Sequence, residues 1–236
     1  MKLAHVPVAL AVLSAIALVA SGYGARYGMW DFRFGFQLLR WSFYAGLATA
    51  ALALVALVVR RVRAGHAVEL VAALLIGVVV AYFPWHWMQE ARALPSINDI
   101  TTDTTNPPAF VAIVPLRASS GVPTTYPGAD TAARQHSAYP DIKTLELAVP
   151  PDAAFARALG TAISYGWEIV ARDPASGRIE ATATTPWFGF RDDVVIRVMP
   201  APGGSRVDVR SLSRVGKGDL GANAKRVRAY IAQLSG

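Results

Sequence analysis

Three long apolar runs fill the first ninety-odd residues, at positions 6–20, 41–59 and 67–88. Runs of this length predict helices able to cross about 30 Å of hydrocarbon. The middle run is uncharged, and its Ser42, Gly46 and Ala50 fall at the small-xxx-small spacing that lets a neighbouring helix come close. Glu69, near the start of the third run, either reaches back to the interface beside Arg60, Arg61, Arg63 and His66 or marks a transport path; the first is favoured. At the far end Tyr82, Trp85, His86 and Trp87 form an aromatic belt typical of a membrane boundary, with Pro84 kinking or ending the helix. The first run has two readings. It is a retained helix, which its length favours, or a signal peptide with Lys2 as its charged start and cleavage near Ala20 and Ser21.

From Pro95 the pattern changes. Residues 95–142 are rich in Pro, Ser, Thr and Gly and predict an irregular segment with one short strand near 110–114. Leu145, Leu147 and Val149 then alternate with polar neighbours, which predicts a strand with one buried face. Pro150 and Pro151 stop it, and Phe155, Leu159, Ala162 and Ile163 recur at helical spacing up to Gly166. Strands are expected at 167–171, 178–185, 193–199 and 206–215, joined by turns rich in Asp, Pro and Gly. In the last strand the alternation slips between Val209 and Leu212, which suggests a β-bulge near Arg210 and Ser211. A final helix over 219–234 buries Leu220, Val227, Ile231 and Leu234. The expected architecture is α+β. A three-helix transmembrane region (1–94) precedes an irregular segment (95–142) and a soluble antiparallel sheet (143–236), in the order β-α-β-β-β-β-α with two helices on one face. Trp187, Phe188 and Phe190 make an aromatic turn that caps the sheet's core, or else dips into a bilayer or closes a pocket.

Charge adds location rather than chemistry. Of the net +7, +5 precedes Pro95, because Lys2, Arg26, Arg33, Arg40, Arg60, Arg61, Arg63 and Arg92 outnumber Asp31, Glu69 and Glu90. The soluble part carries only +2, which disfavours nucleic acid as a partner. The short Arg60-Arg61-Val62-Arg63 loop is expected on the cytoplasmic side, which sends the soluble domain to the periplasmic or other non-cytoplasmic face of a bacterial inner membrane. Residues 22–40, with aromatics between Arg26, Arg33 and Arg40, are expected to lie in the interface. Cysteine is absent, which removes disulfides, thiolate metal sites and a cysteine nucleophile.

Several segments carry a family resemblance. Pro95-Ser96-Ile97-Asn98-Asp99-Ile100-Thr101-Thr102-Asp103, Pro107-Pro108, Tyr139-Pro140-Asp141-Ile142, Thr185-Pro186-Trp187-Phe188-Gly189-Phe190 and Asp192-Asp193 occur in that order. Ser211-Leu212-Ser213-Arg214-Val215-Gly216-Lys217-Gly218-Asp219-Leu220-Gly221 follows. Together they resemble the DUF1499 family of uncharacterised proteins across essentially the whole soluble domain. The resemblance implies a set of characteristic motifs and no particular activity.

Gly216-x-Gly218-x-x-Gly221 has the letters of a dinucleotide fingerprint but not its context, since a Rossmann unit needs a further parallel strand and a later acidic residue. What remains is a basic glycine turn before a helix, where Arg214, Gly216, Lys217, Gly218, Asp219, Asn223 and Arg226 are candidates for holding an anion. The bland alternative is a tight turn capped by Asp219 below a solvated basic face. Asp99, Asp103, Asp192 and Asp193 are a candidate carboxylate cluster for a hard cation or acid/base work, though structural pairing with Arg197 or Arg214 is favoured. No nucleophile motif is present, and His136 is the only histidine after Pro95. No catalytic residue, metal or cofactor is expected. The expected protein is a non-catalytic, multi-pass membrane protein whose domain binds an anionic small molecule, a lipid headgroup or an envelope protein. The alternatives are an enzyme acting on a phosphorylated or lipid-linked envelope substrate through Asp99, Asp103, Asp192 or Asp219, and a structural subunit of a membrane complex.

Overall fold

A computed structural model of the chain describes residues 2–236; the side chain of Lys2, the charged start of the alternative signal peptide, lies outside the described residues. The chain divides into two compact units. One runs to Ala93 and includes Pro186–Gly189; the other comprises Leu94–Thr185 and Phe190–Gly236.

The first unit is built from α1 (Lys2–Arg26), α2 (Phe32–Val58), the single turn α3 (Arg60–Arg63) and α4 (Ala67–Ala93). The three long helices are each long and apolar enough to cross a membrane. All three extend beyond their apolar cores. The stretch 22–40 covers the end of α1 and the first turns of α2, which Asp31 caps by accepting from the Arg33 N–H. Pro84 does not end α4, which continues to Ala93.

Glycine decides the contact between α2 and α4. A Cβ on Gly77 would lie 2.7 Å from the Ala50 nitrogen and 2.8 Å from the Gly46 carbonyl oxygen. These are backbone atoms, so no side-chain rotation relieves the clash. The buried hydroxyls Ser14, Ser42 and Thr49 donate to carbonyls three or four residues back in their own helices, and so need no water. Gly77→Ala is therefore expected to destabilise the pair by about 1–3 kcal/mol as an overpacked site. A thermal unfolding scan of the detergent-solubilised protein checks it, and an unchanged midpoint would mean that the helices tolerate wider spacing. Within this unit the Pro186–Gly189 turn packs on helical partners. Arg26 donates to the Pro186 carbonyl at 2.7 Å, Trp187 Nε1 to the Val19 carbonyl at 3.1 Å, and the Phe188 ring lies 5.0 Å from that of Phe36. Trp187 and Phe188 thus pack among helix aromatics, not over the core of the sheet as favoured from sequence.

The second unit begins with β1 (Asp99–Thr101), a 3-10 turn (Val114–Arg117) and α5 (Ala129–Ala138). Both β1 and α5 fall inside the stretch expected to be irregular, while 110–114 is not a strand. Strands this short show no periodicity, and the α5 sequence has too few apolar residues to display a stripe. Then come β2 (Leu145–Leu147), α6 (Pro151–Ser164), β3 (Glu168–Asp173), β4 (Arg178–Thr184), β5 (Arg191–Ala201), β6 (Gly204–Ser213) and α7 (Ala222–Ser235). All pairings are antiparallel. The sheet runs β1-β6-β5-β4-β3, with β2 also pairing with β6.

One face of the sheet packs on α6 and α7. Ile179, Ala183, Val194, Ile196, Val198, Val207 and Val209 meet Phe155, Ala158, Val227, Tyr230 and Leu234 there. The other face carries a smaller apolar cluster of Phe110, Ile113, Val195 and Leu212. This second cluster explains the slipped alternation in β6. Leu212 is buried on the opposite face from Val209, and β6 pairs with β5 without a break. The expected bulge at Arg210 and Ser211 is absent; the register shift in this sheet lies in β3, between Ile169 and Ala171. Leu220, expected in the core, is 37% exposed and sits before α7 with a positive φ of 55°.

Candidate functional site

The turn from Arg214 to Gly221 joins β6 to α7, and its residues separate into two groups. Arg214, Asn223 and Arg226 are occupied. Arg214 makes a two-armed ion pair with Asp193, at 2.9 and 2.8 Å. Arg226 donates to Asp192 at 2.7 Å and to the Ser211 hydroxyl at 3.0 Å. Fully buried Asn223 accepts from Ser211 Oγ and Arg226 and donates to the Asn98 carbonyl and Ser213 Oγ, tying β6, α7 and the start of β1 together. Asp219 caps the helix start, accepting from the N–H groups of Gly221 and Asn223. Burial raises the Asp219 carboxyl above the usual carboxylate range; the two backbone N–H groups pull it down, and the nearby Asp192 charge adds to the rise.

Gly216, Lys217 and Gly218 form the second group. Gly216 takes a φ of 85°, open to glycine and strained for other residues. Its carbonyl accepts from the Asn98 side chain, which pins the turn. None of the three backbone N–H groups donates to another described residue. Beside them opens a cleft of about 270 Å³ lined by Ser96, Asn98, Asp99, Gly121, Val122, Pro123, Pro127, Thr131, Gly216 and Lys217 among others. Lys217 is the only cationic residue lining it. Its lining also includes the apolar residues Val122, Pro123 and Pro127. Of the seven anion-site candidates, Gly216 and Lys217 line the cleft, and Gly218 follows them, where an added Cβ would lie 3.2 Å from the Ser96 Cα.

The four candidate carboxylates are each met by different arginines. Asp99 is held in two-armed fashion by Arg210, at 2.9 and 2.7 Å. Asp103 takes Arg197 and Arg206 at 3.0 and 3.1 Å. Asp192 faces Arg226 on the helix side of the sheet, and Asp193, next in sequence, faces Arg117 and Arg214 on the other side. Among the described residues no group of three His, Asp or Glu side chains is placed to hold a metal ion.

Sequence reasoning named Asp99, Asp103, Asp193, Arg197 and Arg214 but missed the ionic layer they belong to on the second sheet face, and with it Arg117, Arg178, Glu180, Arg206, Asp208 and Arg210. Arg117, Arg178, Arg197, Arg206, Arg210 and Arg214 lie there with Asp99, Asp103, Glu180, Asp193 and Asp208. Glu180 is fully buried and accepts from three consecutive backbone N–H groups, those of Val111, Ala112 and Ile113, as well as pairing with Arg178. Arg210 also donates to the carbonyls of Pro108 and Thr124 and lies against the rings of Phe110 and Tyr126. Burial, with Asp99 nearby, pushes the Tyr126 hydroxyl up to about 12. The signal was present as the alternation Arg206, Asp208, Arg210, Leu212, Arg214, which resembles a solvent face until residues 102–128 are seen to cover it.

The family model described as a protein of unknown function (DUF1499) matches residues 99–234. No curated protein matches the chain.

Proposed function

The chain belongs to the DUF1499 family of proteins of unknown function, and on that premise we propose that it is a multi-pass membrane protein whose domain binds a small anionic group, of the kind a phosphoester or lipid headgroup presents, in the cleft at Gly216 and Lys217. One observation carries this reading. The backbone N–H groups of Gly216, Lys217 and Gly218 have no acceptor among the described residues, and Gly216 and Lys217 line a cleft in which Lys217 is the only cation. Outward-facing N–H groups on a glycine turn are a recurrent anion cradle, and the ammonium adds a point charge. At about 270 Å³ the cleft falls just below the range of about 300–1,000 Å³ usual for drug-sized ligands. That size suits a headgroup and not a whole lipid, and Val122, Pro123 and Pro127 supply an apolar wall for whatever carries the anion. The domain is non-catalytic in this reading: the one carboxylate lining the cleft, Asp99, is engaged on both oxygens by Arg210.

The basic turn supports an orientation. Because α1, α2 and α4 run up, down and up, the Arg60–Arg63 turn and Ala93 lie at opposite ends of the bundle. With the basic turn cytoplasmic, the domain is non-cytoplasmic.

Lys217→Glu tests the site. Lys217 is exposed and holds no ion pair with another described residue, so the substitution leaves the fold alone. Calorimetric titration of the full-length protein with glycerol phosphate is expected to show at least tenfold weaker binding for the variant, about 1.4 kcal/mol or more, at an unchanged melting temperature. Equal binding by the two proteins overturns the assignment.

A further inference from the structure

We infer that the opposite end of the helical unit, around Arg60, Arg61, Arg63, His5 and His66, is a second and separate site, which binds the headgroup phosphate of an anionic phospholipid. The turn α3 places Arg60 and Arg63 one helical step apart, so that both project from the same side, while Val62 between them is half-buried. All three arginines are exposed and none makes an ion pair with another described residue. The only carboxylate close by in sequence, Glu69, is exposed and also has no partner among the described residues. The patch is more than a charged loop, because a second segment completes it. The rings of His5 in α1 and His66 meet edge to face at 5.2 Å, which brings the start of α1 against the turn and adds imidazole donors beside the guanidinium groups.

What surrounds the cations identifies the ligand as a lipid and not a free anion. Leu3 and Val6 on α1, Val58 at the end of α2 and Val68 at the start of α4 are exposed by 72%, 48%, 76% and 81%. These apolar surfaces begin where the arginines end, at the limits of the three candidate spans. A phosphate held by guanidinium groups, in forked geometry, with acyl chains lying along Leu3, Val58 and Val68, satisfies both halves of the patch. A soluble anion leaves the apolar half unused. A basic cluster just outside apolar helices is also the arrangement that attracts anionic lipid most strongly.

The test uses the full-length protein in neutral detergent, with native mass spectrometry reading retained dioleoyl phosphatidylglycerol against dioleoyl phosphatidylcholine. The wild type is expected to retain phosphatidylglycerol preferentially. The triple variant Arg60→Gln, Arg61→Gln, Arg63→Gln is expected to lose that preference at least tenfold while phosphatidylcholine retention stays the same. A triple Arg→Lys variant keeps the charge and is expected to keep most of the preference, which separates loss of the site from loss of the fold. Full retention by the glutamine variant overturns the proposal. So does displacement of the lipid by millimolar inorganic phosphate, since that assigns the site to a free anion. Lys217→Glu probes the cleft alone, so failure of either site is read without the other.

Discussion

Arg210→Met is expected to destabilise the domain by about 3–5 kcal/mol, because it strips the partner from a buried charge. The side chain of Asp99 is 1% exposed and that of Arg210 is 3% exposed, and they meet through two hydrogen bonds. The remaining guanidinium donors reach the carbonyls of Pro108 and Thr124, and Phe110 and Tyr126 lie against it. Removing the guanidinium therefore takes the partner from a nearly buried carboxylate and from two carbonyls. Arg210→Lys is not expected to restore much of the loss. An ammonium is a compact charge and cannot span a two-armed carboxylate and two carbonyls on a planar fork. The informative control is Asp99→Asn with Arg210→Met. Burial already pushes the Asp99 carboxyl above its usual range, against the pull of Arg210. Neutralising it while removing Arg210 should recover a substantial part of the deficit. Chemical denaturation of the full-length protein, followed by the near-ultraviolet signal of the domain's aromatics, measures all three. A double variant no more stable than Arg210→Met would show that the carbonyl bonds and ring packing, and not the charge, hold this site.

Much of this was legible in the chain and some was not, for reasons that lie in particular residues. The long helices declared themselves because their apolar runs need no context. The four consecutive strands and α6 and α7 were equally readable, since Val207 and Val209, or Phe155 and Leu159, repeat at the period of their element. Sequence failed where a strand has two buried faces. In β6, Asp208 and Arg210 alternate with valines, and that pattern normally means water on the charged side. Here the charged side is closed by a segment with no periodicity of its own, whose backbone is anchored on Glu180. Nothing local in residues 102–128 announces that anchoring. The anion-site candidates divided for the same reason. Arg214 was the favoured partner for one of the adjacent aspartates and does pair with Asp193, whereas Arg226 looks free in sequence, yet its carboxylate partner Asp192 sits on β5, 34 positions away. Lys217, with no such partner, was left facing the cleft.

Asp193→Asn is expected to cost about 3–5 kcal/mol at neutral pH, and the size of that cost is expected to depend on pH in a defined direction. The carboxylate is fully buried and serves two arginines at once: Arg117, 2% exposed, at 2.6 Å, and Arg214 through both oxygens. An asparagine matches the shape but leaves two guanidinium groups without a counterion. Burial alone would raise the Asp193 carboxyl; hydrogen bonds from Arg214, Arg117 and Thr182 outweigh it together and hold the group below the usual carboxylate range. Asp208 is held low in the same way, with Arg197 and Thr144 overcoming burial. A carboxyl lowered in the fold stabilises the protein above its unfolded value, about 3.9, and that contribution fades as pH falls through the folded value. Asp99 and Asp219 have the opposite sign. Their raised values mean that the fold is penalised at neutral pH and relieved as they take up protons on the way down. Stability should therefore hold or rise slightly as pH falls from neutrality and then decline below about 4, where the unfolded chain takes up protons that Asp193 and Asp208 in the fold resist until lower pH. The deficit of Asp193→Asn should shrink across that same acid limb, because the wild type then pairs its arginines no better than the variant does. Denaturation midpoints of both proteins between neutral pH and pH 3 decide the matter. A deficit that stays constant through the acid limb would mean that Asp193 acts by shape and hydrogen bonding to Thr182, and that the ionic layer over the second sheet face stabilises the domain less than its geometry suggests.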